Sequence, residues 1–385
     1  MTNVSIIGAG QVQVGEHWQT SIRHLSWYAI ERALDDAKTT DIDAIFVGNM
    51  LAGHLSNQQH LGALVADFSG MRGREAVTVE AAEASGGAAL RQATLAVASG
   101  MVETALVVGV EKMTDQTGKP INSSLMTALD AEYESFHGVT MAASAAMLMQ
   151  RYMYENGLEA QHFANFSVNA HANGATNPLA MFRNRLRAER FTQGPMVAAP
   201  ITLFDAAPSG DGAAALIITR TERARDMVPQ PIQIAGSAIA TDTLALHDRE
   251  DILWFRAAEQ SAQRAMAMAG VTVKDIDFCE LHDSFTVVSA LSLEACGFAT
   301  KGTGWKLAQE EAIMRGGSVP ISTMGGLKAR GNPAGATGVY QVAEAVQQLR
   351  GQAGDNQIEG ATVALTQNLG GVGATAVTHI LKKDA

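Results

Sequence analysis

The sequence predicts an α/β fold built twice, on three observations. YAIERALDDAKTTDIDAIFVGN (28–49) reads as an amphipathic helix, an Asp-Ile-Asp turn and an apolar strand, and SAQRAMAMAGVTVKDIDFCELHD (261–283) repeats that rhythm. The helix and strand of SGGAALRQATLAVASGMVETALVVGVEKM (85–113) are echoed by ATGVYQVAEAVQQLRG and ATVALTQNLGG within 336–371. Within each half, apolar strands alternate with helices, which is the pattern of mixed or parallel sheets under helical cover.

Taken in order, VSIIGAG (4–10) is a strand leaving through a glycine turn. Gly8 and Gly10 have the spacing of a dinucleotide fingerprint, but position 13 is Gln where a third glycine would let helix and strand pack closely. A plain strand exit is therefore expected. The first core follows to residue 113. Residues 115–200 then break the rhythm with Met-, Tyr- and Arg-containing helical stretches and a polar loop, NAHANGATNPLAMFRNRLR (169–187). It reads as an insertion carrying specificity, or as a dimerisation loop. ALIIT (215–219) closes the first half, TERARDMV (221–228) is a charged linker, and PQPIQIAGSA (229–238) opens the second. The expected division is residues 1–118 with 195–225, an inserted 119–194, and 226–385.

Composition narrows the function. Hydrophobic residues make up 47% and charged residues 17%, with 37 Gly and 17 Met, so a compact chain with surface hidden in an oligomer is expected. The 28 basic and 39 acidic residues give 28 − 39 = −11 without long runs, which disfavours nucleic acid and anionic membranes as partners. An anionic ligand must meet local positive charge. Two cysteines, Cys279 and Cys296, lie in apolar stretches; they suit a reducing cytosol and offer neither a disulfide framework nor a CxxC metal site. No basic segment precedes an apolar one at the start and no 18-residue apolar run occurs, so neither signal peptide nor membrane span is expected, and the location is read as cytoplasmic.

The chemistry-bearing segments are EAAEASGGAAL (80–90), VVGVEKMTD (107–115), APSGDGAAALII (207–218), HDSF (282–285), GGLKARGNPAGATG (325–338) and NLGGVGATA (368–376). In this order they resemble the thiolase superfamily, and within it the archaeal and sterol-carrier-protein type branch, over essentially the whole chain. The resemblance implies two βαβαβαββ halves in a five-layered αβαβα sandwich, an inserted loop domain, a homodimer or tetramer, and Claisen or retro-Claisen chemistry on coenzyme A thioesters. It implies that a cysteine takes the acyl group, a Gly-His-Pro histidine assists, and a further thiol moves the substrate proton. A thiolate at a helix start suits the first task because its pKa is low and its thioester exchanges with CoA.

This chain departs at those positions. Glu83 stands where the acylated cysteine belongs, Asn332 replaces the histidine, and Ser284 and Asn368 supply no thiol. A carboxylate would form a mixed anhydride and an amide shuttles no protons, so ordinary ping-pong thiolysis is not expected. His282 and Asp283 survive, and His282 with Asn332 could still stabilise an enolate oxygen. Glu83 admits three readings: a general base in a dry pocket for a retro-aldol cleavage, a helix-start carboxylate marking a binding-only paralogue, or an engineered replacement. By resemblance His171 lines the pocket, or else is structural. Arg183, Arg185 and Arg187 meet CoA phosphates or form a solvated run. Lys328 and Arg330 sit near the pocket mouth, and Gly326 and Gly371 bring backbone N–H groups to a thioester oxygen or serve packing. No covalent cofactor and no metal are expected. The leading function is C–C bond making or breaking beside a CoA thioester; the rivals are a non-catalytic acyl-CoA-binding or scaffold subunit, and acyl transfer through Ser85 or Ser284. A small zinc-ribbon and OB-fold protein is the partner that the resemblance suggests.

Overall fold

The computed structural model describes residues 3–116 and 119–383; the expected boundary at 118 lies outside them. The strands are β1 (Val4–Gln11), β2 (Ala44–Gly48), β3 (Glu75–Val79), β4 (Thr104–Glu111), β5 (Met196–Ala198), β6 (Ile201–Thr202), β7 (Gly212–Arg220), β8 (Ile232–Thr241), β9 (Phe278–Glu280), β10 (Val363–Gly370) and β11 (Thr375–Lys383). The helices that frame them are α1 (Ile22–Ala37), α2 (Ser85–Ser99), α3 (Met141–Asn156), α4 (Ala164–Gly174), α5 (Thr221–Met227), α6 (Arg256–Ala269), α7 (Thr286–Ala295) and α8 (Thr337–Leu349).

Nine strands join in the order β3-β2-β4-β7-β1-β8-β11-β10-β9. The order is a duplication folded back on itself. Outward from the centre, β1, β7 and β4 are antiparallel and β4, β2 and β3 are parallel. In the other direction β8, β11 and β10 are antiparallel, β10 and β9 are parallel, and Cys279 of β9 bridges in parallel to Ile321. Among the described residues, the strands of the two halves pair where Ser5 and Ile6 meet Gln233 and Ile232. Two mixed half-sheets thus share one short seam.

Helices complete the layers. α2 and α8 touch each other, and each touches strands of both half-sheets, whereas α1 and α5 cover the first half-sheet and α6 covers the second. Sequence shows why. α1 buries a single stripe, Ile22, Leu25, Ser26, Ala29, Ile30, Ala33 and Ala37, as a surface helix does. α8 buries every residue except Gln347, because sheets press on it from both sides. The middle layer is thin where glycines meet: a Cβ on Gly86 would come 2.9 Å from the Gly335 oxygen and the Val339 nitrogen.

Three local expectations change. β1 runs through Gly8 and Gly10 to Gln11 rather than leaving at them; both glycines admit α1, since a Cβ on Gly10 would lie 2.6 Å from the Ala33 nitrogen. The charged segment at 221–228 is the helix α5 and not a linker. NAHANG is the second half of α4, so the polar loop begins only after it. The inserted helices α3 and α4 pack on α7, and the β5–β6 ribbon packs on α3, so the chain rejoins the first half-sheet at Gly212.

Candidate active site

The motif segments converge on the start of α2, the start of α8 and the end of β10. Glu83 is delivered by a sharp turn. Ala82 holds a left-handed φ of 51°, and the Ser85 hydroxyl accepts from the Ala81 N–H (2.9 Å) and donates to the Ala82 carbonyl (2.5 Å). Such conformations in non-glycine residues cost about 1–3 kcal/mol and gather at functional sites; Ser322 (φ 50°) and Ala334 (φ 32°) share this one. With its hydroxyl committed to the turn, Ser85 is not placed as a nucleophile.

The Glu83 carboxylate is 3% exposed and does not reach along the helix. It accepts from the Gly371 N–H at 2.8 Å and faces its own N–H. Glu83 stands one residue before the cap of α2, and the Gly371 N–H, expected to be free for a thioester oxygen, is instead given to its carboxylate. Burial, with some repulsion from Glu80, raises the carboxyl from 4.5 to about 7 against the pull of those N–H groups.

His282 is buried and held from one side. The Asn368 Oδ1 accepts the Gly87 N–H (3.3 Å), which turns its Nδ2 toward His282 Nδ1 (3.2 Å). Nδ1 is then the acceptor, so Nε2 carries the proton. Burial, with the nearby Arg330 guanidinium, lowers this imidazole to about 3, so it is a neutral donor at physiological pH. Asn332 is fixed similarly: its Oδ1 accepts from the Ala334 N–H and the Thr337 hydroxyl, both at 3.1 Å, leaving the amide nitrogen as its donor. Asn368→Ala removes the group that fixes the His282 tautomer. The expected result is a displaced His282 ring together with a loss of about 1–3 kcal/mol from the unpaired Gly87 N–H, read by the imidazole NMR signals and by denaturant unfolding.

Two expected ligand contacts are instead framework. Asp283 accepts from the Leu327 N–H (2.7 Å) and the Ser322 hydroxyl (3.2 Å). Gly326 opens the short helix Gly326–Ala329 and has no room for a side chain, since a Cβ would sit 2.6 Å from Asp283 Oδ1 and Ser322 Oγ. Ser284 is half-buried and its carbonyl accepts the Ala207 N–H (2.9 Å).

A cavity of about 450 Å³ opens beside this cluster, lined by His171, Phe182, Arg185, Leu203, Phe204 and Lys328 among others. Its 206–208 wall lies between Ser284, bonded through Ala207, and Asn332, whose N–H donates to the Pro208 carbonyl at 3.0 Å. His171 stands on α4, its Nδ1 3.2 Å from the Asn184 carbonyl and its ring stacked on Phe182 at 6.2 Å. Burial, with Lys328 nearby, lowers its pKa. Arg183 is exposed and does not line the cavity; Arg185 does. Lys328 is not at a mouth but in the wall, 2% exposed, and burial lowers it to about 8. Arg330 is likewise buried, 3.1 Å from Glu344 and 4.7 Å from the Tyr340 ring centre. The sequence reading missed the bridging role of Asn368 and the Leu203–Phe204 wall, although the latter ends two residues before the APSGDG segment.

Both thiols are buried; burial raises Cys279 well above its ordinary value and Cys296 to about 12, so neither is a thiolate near neutral pH.

Fold and site together define an α/β sandwich whose reactive groups gather at the starts of its two middle helices, the architecture of the thiolases. The chain belongs to the thiolase family: the family model "Thiolase, N-terminal domain" matches residues 4–189 and "Thiolase C-terminal domain-like" matches residues 238–383. It is 42% identical to an acetyl-CoA acetyltransferase of Methanothermobacter thermautotrophicus over 100% of both chains. It is 31% identical to the benzoylsuccinyl-CoA thiolase subunit BbsB of Thauera aromatica, over 96% of this chain and 94% of that one. Among solved structures, a chain of the Ltp2-ChsH2(DUF35) aldolase superposes with a TM-score of 0.87 at 24% identity, covering 99% of this chain and 98% of that one, which shows a shared fold. No helix among the described residues is long and apolar enough to cross a membrane.

Proposed function

We propose that this chain is an acyl-CoA enzyme that makes or breaks a C–C bond without an acyl-cysteine, using Glu83 as its base. The observation that carries the reading is a buried carboxylate, raised to about 7, at the start of α2. A base is most useful when its pKa lies near the working pH. In the cleavage direction Glu83 takes the proton of the β-hydroxyl, the Cα–Cβ bond breaks, and its electron pair moves to the thioester oxygen as an enolate. His282 Nε2–H and the Asn332 amide donate to that oxygen, and protonated Glu83 returns the proton to Cα. An aldehyde or ketone and a shortened acyl-CoA leave. The relatives named for CoA-ester chemistry support the substrate class, and a small zinc-ribbon and OB-fold partner and a homodimer or tetramer belong to the same reading.

The hydrogen bond from Gly371 to Glu83 favours a second reading, in which the carboxylate only fills a polar cradle and the chain binds acyl-CoA for an active partner. One experiment separates them. The purified protein, with and without the partner, is given β-hydroxyacyl-CoAs; turnover is followed by chromatography and intact mass is recorded. The base reading expects products, no acyl adduct, and a rate that rises as pH increases through about 7, because only ionised Glu83 accepts a proton. Acyl-CoA binding without turnover under either condition leaves the binding reading standing.

A further inference from the structure

We propose that the cavity beside Asn332 and Ser284 takes an acyl group ending in a carboxylate, the CoA thioester of a dicarboxylic acid, with Lys328 as counter-ion. The inference rests on the acyl-CoA reading above and adds the substrate's far end.

The argument starts from how this protein treats buried lysines. Lys112 and Lys328 are each 2% exposed. Lys112 is paired with Asp211 at 2.7 Å and Asp115 at 2.5 Å, as a buried ammonium requires. Lys328 donates to the neutral carbonyl of Asp205 and, among the described residues, has no carboxylate within 4.0 Å. The two acids nearest in charge are engaged elsewhere. Asp283 holds the Leu327 N–H and the Ser322 hydroxyl, while Asp205 holds the Thr202 N–H and hydroxyl (2.8 and 2.9 Å) and the Thr286 hydroxyl (2.6 Å). The ammonium, without a carboxylate partner, is instead part of the cavity wall, whose apolar side is formed by Phe182, Leu186, Leu203 and Phe204 and whose polar side includes His171 and Arg185. A largely apolar chamber of about 450 Å³ with the buried Lys328 in its wall, the exposed Arg185 being the other lining cation, suits a methylene chain with an anionic tip. A wholly apolar acyl tail would leave that charge buried and unmet. The −11 net charge of the chain makes such a local cation the more necessary for an anion.

The test compares two thioesters of equal chain length, adipoyl-CoA and hexanoyl-CoA, by calorimetric titration of the wild-type protein and of Lys328→Met. The expected result is adipoyl-CoA binding about tenfold or more tighter to wild type, an advantage of about 1.4 kcal/mol, that vanishes in the variant while hexanoyl-CoA binds the variant at least as well. Equal binding of the two by wild type overturns the proposal even if the variant fails to fold. Equal weakening of both in Lys328→Met also overturns it, since Lys328 would then meet the CoA arm common to both. If neither thioester binds, the acyl-CoA reading itself falls; if hexanoyl-CoA binds without a preference for adipoyl-CoA, only the present inference does.

Discussion

With Glu83 as the proposed base, Glu83→Gln is expected to reduce C–C cleavage by about 10²–10⁴-fold in kcat while making the folded protein more stable at about pH 8. The two effects share one cause. The folded state holds a proton on Glu83 up to about 7, whereas the unfolded chain releases it near 4.5. A carboxyl raised on folding lowers stability progressively as pH climbs from about 4.5 through about 7, and the whole penalty is present above that. Removing the charge recovers up to about 3 kcal/mol at alkaline pH and nothing near pH 4. Glutamine keeps an oxygen for the Gly371 N–H, so the cradle remains filled. Paired assays of turnover and of denaturant midpoint at two pH values check this. A variant that retains its rate removes Glu83 as base, and one that gains no stability at pH 8 removes the strained, desolvated carboxylate.

The second large effect is on the middle layer. Gly338→Ala in α8 destabilises the protein by about 3 kcal/mol or more, against the stabilisation of up to about 1 kcal/mol that helix propensity alone assigns to the change. The reason is the crossing of α8 over the start of α2: an added Cβ would lie 2.9 Å from Gly87 Cα and closer still to the Gly87 nitrogen and Asn368 Oδ1. Those two atoms are the hydrogen bond that steadies His282. Thermal or urea unfolding gives the sign, and a neutral or stabilised variant would mean the two middle elements can part without cost.

Much of this scaffold was legible because duplication writes itself into sequence. α1 with β2 and α6 with β9 carry the same amphipathic period and the same Asp-Ile-Asp turn, so their equivalence needed no coordinates. The buried turn before α2 was marked in sequence too, since ASGG directly follows Glu83. What holds that position was not: its partner is a backbone N–H 288 residues away, and main-chain donors have no letter. Burial of charge was equally hidden. Lys328, expected near the pocket mouth, lies instead in the buried wall beside the 203–208 segment and His171. Arg183 and Arg185 are indistinguishable in sequence, because an irregular loop has no period from which to say which one turns inward.

The seam at Ser5–Ile6 and Ile232–Gln233 relates the halves as a twofold axis relates two subunits, and α2 and α8 occupy matching stations on either side of it. Two identical chains associating about such an axis would be obliged to present the same group at both helix starts. Joined into one polypeptide, they are released from that obligation: an acid stands ahead of one helix and an amide ahead of the other, each open to change alone. Covalent fusion of a symmetric pair is thus what lets a carboxylate occupy one station and a hydrogen-bond-donating amide the other.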